Sequence, residues 1–515
     1  MDSAHSRRDR GWLPIPFVAV LGLWLYRSWQ PRAFDVLDFS EFLPLLNAGR
    51  GIWGRLSNLL DYYASVHGRF NALSYGALAV KWTWLGNHPL AWQLLRAAEL
   101  GLAATLGYFL LRRLSAGRLG AVLGASLLLF SYAAALPWVR LTMGEPLGLI
   151  CALGAALAAA RLGDEGASWG TAIFAGLALA AAILAKEMLV IWVPAVMVIA
   201  AARGGQGRLA SWRLDSGRRR MLATLLVSSL AASLAVVYVA RHTAVAGYAA
   251  TYGAAPLTLG RFFEIFQRQL LPWPITGRSD GSVMLIAAVL FLAVVYLGLR
   301  RGFADPAWRA HCIHIVGLGL GLPLLGALVY LPWPVYSPFY GYPFVFGAAF
   351  LVATAVTILG AQGRRAGVLA ASAVALSLFL VVPEAVHLAG TAALQQEVMT
   401  SLARELPSAR ASARIVVAVA ALPAQAWQGM GASLVRYATA TTPGLELPPA
   451  EDLLCGDAAR LLSGQGAPRV TLISLSTNCG RIPSATATIR KDFSFWQWQP
   501  LRFGHDSSQA DLLIR

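Results

Sequence analysis

The sequence predicts a polytopic α-helical membrane protein of about eleven transmembrane helices, followed by a small C-terminal α/β extracytoplasmic domain. Three observations lead there. Of 515 residues, 57% are hydrophobic and 13% charged, with a mean hydropathy of +0.58, so most of this chain takes lipid as its solvent. Apolar windows of about 20 residues, the length a helix needs to cross the hydrocarbon core, recur from Trp12 to Pro383. Beyond them, short strand-like runs take over.

The first apolar run begins at Trp12 behind Arg7, Arg8 and Arg10, carries Trp24 and Trp29, and ends in RSWQPR without a small-residue cleavage pattern. It is therefore expected to remain as an anchor rather than be removed as a signal peptide. The spans are placed near 12–30, 89–111, 119–136, 144–160, 169–185, 187–202, 221–240, 282–299, 311–330, 341–360 and 367–386. With the N-terminus in the cytoplasm, alternate connections hold Arg112, Arg113 and Arg118; Arg161; Arg203 to Arg220; Arg300, Arg301 and Arg309; and Arg364 with Arg365. The short turns on the other side hold only Arg140 and Lys186. This asymmetry is the positive-inside rule, and it accounts for most of the +17 net charge without nucleic acid. The expected location is the plasma (inner) membrane, multi-pass, with the C-terminal domain extracytoplasmic.

Two units follow: a transmembrane domain over 1–386, with outward loops at 31–88 and 241–281, and a soluble α/β domain over 387–515. In the latter, IVVAVAAL (415–422) and VTLISLS (470–476) suit strands, and AQAWQGMGASLVRYA suits a helix. FSFWQWQPLRF (493–503) suits a strand or an interfacial segment. Cys151 and Cys312 fall in or beside spans and are expected to be buried small apolar residues. Cys455 and Cys479 share the outward tail, where an oxidising compartment permits a bridge, and a free pair is the alternative.

Chemistry concentrates in the first outward loop. It opens FDVLDFSEF, with Asp35, Asp38 and Glu41 at three-residue intervals, so a helix places all three on one face. Clustered like charges raise one another's pKa, which suits a base or a cation site. The plain alternative is acidic residues complementing a helix N-terminus after Pro31. Further along, DYYASVHGRFNALSYGALAVKWTW sets His67, Arg69 and Asn71 around Gly68, donors suited to phosphate or sugar hydroxyls, although a polar turn explains them equally when taken alone. Tyr62, Tyr63, Trp82 and Trp84 suit helices lying in the membrane interface.

Two more polar points meet the same surface. The turn LPWVRLTMGEPLG offers Arg140 and Glu145, a possible ion pair. GLALAAAILAKEMLVIWVPAVMVIA places Lys186 and Glu187 inside a long apolar run, where ionisable groups are expensive and usually functional. Of 42 basic residues only three are lysines, at 81, 186 and 491, so a compact ammonium at this hairpin tip fits a point-charge phosphate contact. Its plain alternative is a snorkelling Lys–Glu pair marking the turn. In the 241–281 loop, YAATYGAAP, Arg261, Glu264, Arg268 and LPWPITGRSD suit a cover over the site or an acceptor contact.

Taken together, the acids after the first span, HGRFNALSY, RLTMGEPLG, the LAKE hairpin and the loop after the seventh span resemble the GT-C membrane glycosyltransferases, of the protein mannosyltransferase or aminoarabinose transferase type. The resemblance covers about 12–300 and is looser to 386. It implies a GT-C-like transmembrane fold and an inverting hexosyl- or pentosyltransferase of the cell envelope, moving sugar from a polyprenyl-phosphate donor to a lipid, glycan or protein acceptor. It also implies Asp38 as catalytic base with Asp35 as rival, because Leu37 stands where the family often has a second acid. Lys186, Arg69 and Arg140 would then bind the donor phosphate, and Glu41, His67, Asn71, Glu145 and Glu187 would line the substrate. No metal ligand set is evident and none is expected; the polyprenyl-phosphate sugar is a co-substrate rather than a cofactor. The competing functions are a polytopic transporter or lipid flippase, expected to hold ionisable groups nearer the bilayer midplane, and a non-catalytic envelope assembly protein.

Overall fold

The computed structural model describes residues 36–86, 88–139, 141–162, 168–201, 208–209, 216–243, 257–271, 281–331 and 338–380, four strands between 414 and 490, and isolated residues between those strands. The expected span at 12–30, Asp35, Arg140, Cys455, Cys479 and the stretch 493–503 lie outside the described residues.

Six helices among the described residues are long and apolar enough to cross a membrane: Leu90–Arg113, Glu145–Leu162, Leu222–Val239, Ser282–Ala304, Pro306–Tyr330 and Tyr340–Gln362. Three shorter apolar helices, Arg118–Phe130, Trp169–Ala185 and Glu187–Ala201, accompany them, and a further helix runs over 364–380. The protein is a multi-pass helical membrane protein. In chain order the helices are α1 (Val36–Ala48), α2 (Gly51–His67), α3 (Ala72–Leu85), α4 (Pro89–Arg113), α5 (Arg118–Phe130), α6 (Tyr132–Val139), α7 (Glu145–Leu162), α8 (Trp169–Ala185), α9 (Trp192–Ala201), α10 (Ser216–Thr243), α11 (Leu259–Leu270), α12 (Gly281–Ala304), α13 (Pro306–Tyr330), α14 (Phe346–Gln362) and α15 (364–380).

Local chemistry sets several boundaries. Pro89 opens α4 and Arg112 and Arg113 close it, matching the helix dipole at its C-terminal end. Asp305 caps α13 by accepting from the Ala307 N–H at 2.8 Å, and Pro306 follows at the first helical position. The span expected at 119–136 is instead two helices. Ser131 is extended (φ −72°, ψ 148°), and its hydroxyl accepts from the Ala134 N–H at 3.2 Å, ending α5 and starting α6. Likewise the span expected at 187–202 opens as a 3₁₀ turn, Glu187–Ile191, before α9.

Small residues let the helices approach closely, the usual device where lipid removes any hydrophobic drive between helices. On α5, a Cβ at Gly120 would collide with the Ala353 carbonyl of α14, and Gly124 faces Ala349 and Ala353. The Thr357 hydroxyl sits in the same crossing, accepting from the Gly117 N–H at 2.7 Å and donating to Ala353 O at 2.6 Å. Helix α14 is buried along nearly its whole length, whereas Leu177, Val227, Val289 and Leu369 are exposed on outer helices and meet lipid.

Helices α1 to α3 are too polar or too short to span and gather at one end of the bundle. An aromatic cluster fastens them: Phe42 stacks on Tyr63 at 5.0 Å, and Tyr63 on Tyr75 at 4.9 Å. Arg55 donates to Leu46 O at 2.9 Å and to the Thr83 hydroxyl at 2.7 Å, tying α2 to its two neighbours.

In the tail, β1 (Arg414–Val419), β2 (Ala450–Leu454), β3 (Val470–Ser474) and β4 (Ala487–Arg490) form one parallel sheet in the order β2-β1-β3-β4. The described parts of the two expected strands are β1 and β3. Ile415 and Val416 of the central strand are buried.

Candidate functional site

The left-handed Gly68 (φ +61°) ends α2, with its N–H bonded to Ala64 O at 3.1 Å and the Arg69 N–H bonded to Tyr63 O at 3.0 Å. Glycine adopts this conformation without steric cost, so the HGRFN turn reverses the chain cleanly and delivers Arg69 and Asn71 to the start of α3. Asn71 occupies the N-cap position of α3, yet its side chain makes no cap hydrogen bond. It bonds the carboxylate of Glu187 instead.

Lys186 is where α8 stops. Its extended backbone (φ −156°, ψ 115°) separates α8 from the following 3₁₀ turn, so the side chain leaves the hairpin tip sideways into protein. Nζ lies 2.9 Å from Glu145 Oε1, with the two side chains 12% and 2% exposed, and 5.9 Å from the centre of the Tyr340 ring. Glu187 and Arg69 add their charges to the group. Burial on its own would lower the Lys186 pKa, but Glu145 and then Glu187 outweigh it and leave the value above the ordinary 10.5. The stability that the raised lysine pKa contributes is not lost on the alkaline side until pH passes the ordinary 10.5, and it then falls away as pH rises through the higher folded value. Lys186 remains a cation throughout the neutral range.

The surrounding backbone holds this geometry. The Ser74 hydroxyl on α3 donates to Ala185 O at 2.6 Å, joining the first-loop helices to the hairpin tip. Trp192 Nε1 donates to Pro343 O at 3.1 Å, fixing the hairpin to the 3₁₀ stretch Pro338–Phe344 that carries Tyr340. Tyr340 in turn stacks on Tyr330 at 5.0 Å. At Gly144, just before Glu145, an added Cβ would strike the Ser74 hydroxyl and lie 2.8 Å from Ala185 O. Gly144→Ala is therefore expected to cost about 1–3 kcal/mol by overpacking. A lower thermal unfolding midpoint of the purified protein would register it.

Asn71 Oδ1 and Glu187 Oε2, both buried acceptors, take no hydrogen bond among the described residues, and Glu145 Oε1 has only its ion pair with Lys186. An unpaired buried acceptor costs about 1–3 kcal/mol, so the site is set for a hydrogen-bond donor. No three His, Cys, Asp or Glu side chains converge in a metal-ligating group among the described residues.

The structure thus brings together Lys186, Glu145, Glu187, Arg69 and Asn71 from three separate segments. It pairs Glu145 with Lys186; the expected pairing of Glu145 with Arg140 falls on a residue outside the described ones. Asp38 and Glu41 lie on α1 and His67 ends α2; of these three the structure describes the helix positions only. Asp38 is one turn before Phe42, whose ring binds α1 to α2 and α3.

A second buried charge network, not anticipated from sequence, adjoins the first. Arg96 is 1% exposed, donating to Glu99 Oε2 at 2.7 Å, Leu141 O at 2.8 Å and Met143 O at 3.2 Å. Lys81 on α3 meets Glu99 Oε1 at 2.6 Å. Burial and then the Arg96 charge pull the Lys81 pKa below its ordinary value, against the opposing pull of Glu99. The available signal was Arg96 and Glu99 at i, i+3 in an apolar span, together with Lys81 as one of three lysines.

No protein family matches the sequence, and no curated protein matches it. Among solved structures, the chain is similar to ArnT from Cupriavidus metallidurans bound to undecaprenyl phosphate, with 14% identity and a TM-score of 0.46 over 88% of this chain and 92% of that one. It is similar to the apo state of the same protein at 12% identity and a TM-score of 0.46, over 89% and 92%. It is also similar to the arabinofuranosyltransferase AftD from Mycobacteria at 17% identity and a TM-score of 0.43, over 80% of this chain and 31% of that one.

Proposed function

We propose that the protein is a GT-C glycosyltransferase that moves a sugar from a polyprenyl-phosphate donor to a lipid, glycan or protein acceptor at the outer face of the plasma membrane. The observation that carries this reading is the buried group that sets the cations Lys186 and Arg69 beside acceptors with no hydrogen bond among the described residues. Lys186 and Arg69 suit a phosphate. Asn71 Oδ1 and Glu187 Oε2 suit the donors of sugar hydroxyls.

In this mechanism an acceptor hydroxyl oxygen attacks the anomeric carbon as the bond from that carbon to the phosphate oxygen breaks. The electron pair leaves with the polyprenyl phosphate, and the configuration inverts. Asp38 takes the hydroxyl proton; Asp35 is the alternative base. Lys186, Arg69 and Arg140 stabilise the charge that develops on the departing phosphate, in a site where few waters compete. Glu145 keeps Lys186 charged and aimed, and Glu41 and His67 complete the substrate lining.

The placement of buried charge supports surface chemistry over transit. Among the described residues, the buried charged side chains Arg96 and Glu145 both belong to the end of the bundle where the first-loop helices pack, whereas a transporter is expected to bury such groups near the midplane. Undecaprenyl phosphate, the lipid in the ArnT structure, is the first probe. Added to the purified protein, it is expected to raise the unfolding midpoint, and Arg69→Ala is expected to remove most of that rise. An equal rise in wild type and variant, or none in either, would count against a phosphate site here.

A further inference from the structure

In the turn that leads into Glu145, two backbone carbonyls are held from outside by Arg96. Arg96 spans both Leu141 O and Met143 O with one nitrogen, while its other terminal nitrogen is held by Glu99. Glu99 uses its second oxygen on Lys81, which belongs to α3, the helix that follows Asn71 and contacts the hairpin tip through Ser74. A single chain of charge-assisted bonds therefore links α3, α4 and the turn. It ends two residues before Glu145.

We infer that Arg96 is a positioning residue for the site: fixed by Glu99 and Lys81, its guanidinium holds the Leu141–Met143 turn so that Glu145 meets Lys186. The planar fork suits this task, because it satisfies two carbonyls and a carboxylate together, which an ammonium on a flexible stem does not do as rigidly. What Arg96 means for turnover rests on the proposed function, whereas its effect on Lys186 does not. If Glu145 drifts, the remaining neighbours of Lys186 are Glu187, Arg69 and Tyr340, and burial then prevails. The ammonium loses its proton more easily.

Three lysines make this directly measurable. The purified full-length protein is acetylated with trace acetic anhydride across about pH 8–11, and labelling at Lys186 and Lys81 is read by mass spectrometry relative to Lys491. Arg96→Gln is expected to raise Lys186 labelling about tenfold near pH 9, equivalent to a midpoint about one unit lower. The same variant is expected to lower Lys81 labelling, because the Arg96 charge that depresses Lys81 is gone. General loosening would raise both, so a joint rise overturns the inference. Unchanged Lys186 labelling overturns it as well. Arg96→Lys, which keeps the charge and favours folding, is expected to move Lys186 in the same direction by less, and no movement there would also contradict the inference. Glu145→Gln sets the largest shift to be expected; its failure to move Lys186 would remove the pair and the inference together. An inactive wild type with the expected labelling pattern would sink the glycosyltransferase reading and leave the positioning role intact.

Discussion

Lys186→Met is expected to lower sugar transfer by roughly 10²–10³-fold, the usual cost of removing a fixed charge from the place where charge develops. It is also expected to lower stability by about 3–5 kcal/mol, because Glu145, 2% exposed, is left as a buried and uncompensated carboxylate. The two losses are separable. Pairing the change with Glu145→Leu removes the orphaned charge, and replacing a buried ion pair by apolar side chains is often neutral or stabilising. The double variant should regain most of the unfolding midpoint and remain as inactive as the single one. Recovery of transfer along with stability would reduce Lys186 to a structural pair marking the turn.

The second large effect is expected at Asp38. Asp38→Asn keeps the size of the side chain and removes its basicity, so transfer should fall about 10²–10⁴-fold, the range that general-base catalysis supplies. Asp35→Asn is expected to cost less, because Asp38 stands one turn from Phe42, the residue that packs α1 against α2 and α3 beside the Lys186 group. The two single variants assayed side by side decide between the carboxylates. A larger loss in Asp35→Asn would exchange their roles.

Much of this organisation was legible in the sequence for a physical reason. Lipid solvent forces long apolar helices, so the spans from Pro89 to Gln362 were close to their expected places. The LAKE hairpin announced itself because a lysine in an apolar run is costly. Pairings were harder to read. Glu145 and Lys186 are joined only by the packing of α7 against the α8 tip, and nothing in the local pattern LTMGE announces an acid that meets a lysine 41 residues away. Arg96 and Glu99 were hidden because a span tolerates two charges three residues apart without losing its apolar character. The breaks at Ser131 and Glu187 escaped a window of about 20 residues, which averages over a single extended residue.

The measurement closest to the central claim is release of polyprenyl phosphate by the purified wild-type protein, supplied with polyprenyl-phosphate-linked sugars and an envelope extract as acceptor. Release in step with sugar transfer, inversion at the anomeric carbon, and loss of both release and transfer in Asp38→Asn and Lys186→Met are expected. Full release by both variants, or no release by wild type with any such donor, would contradict that claim.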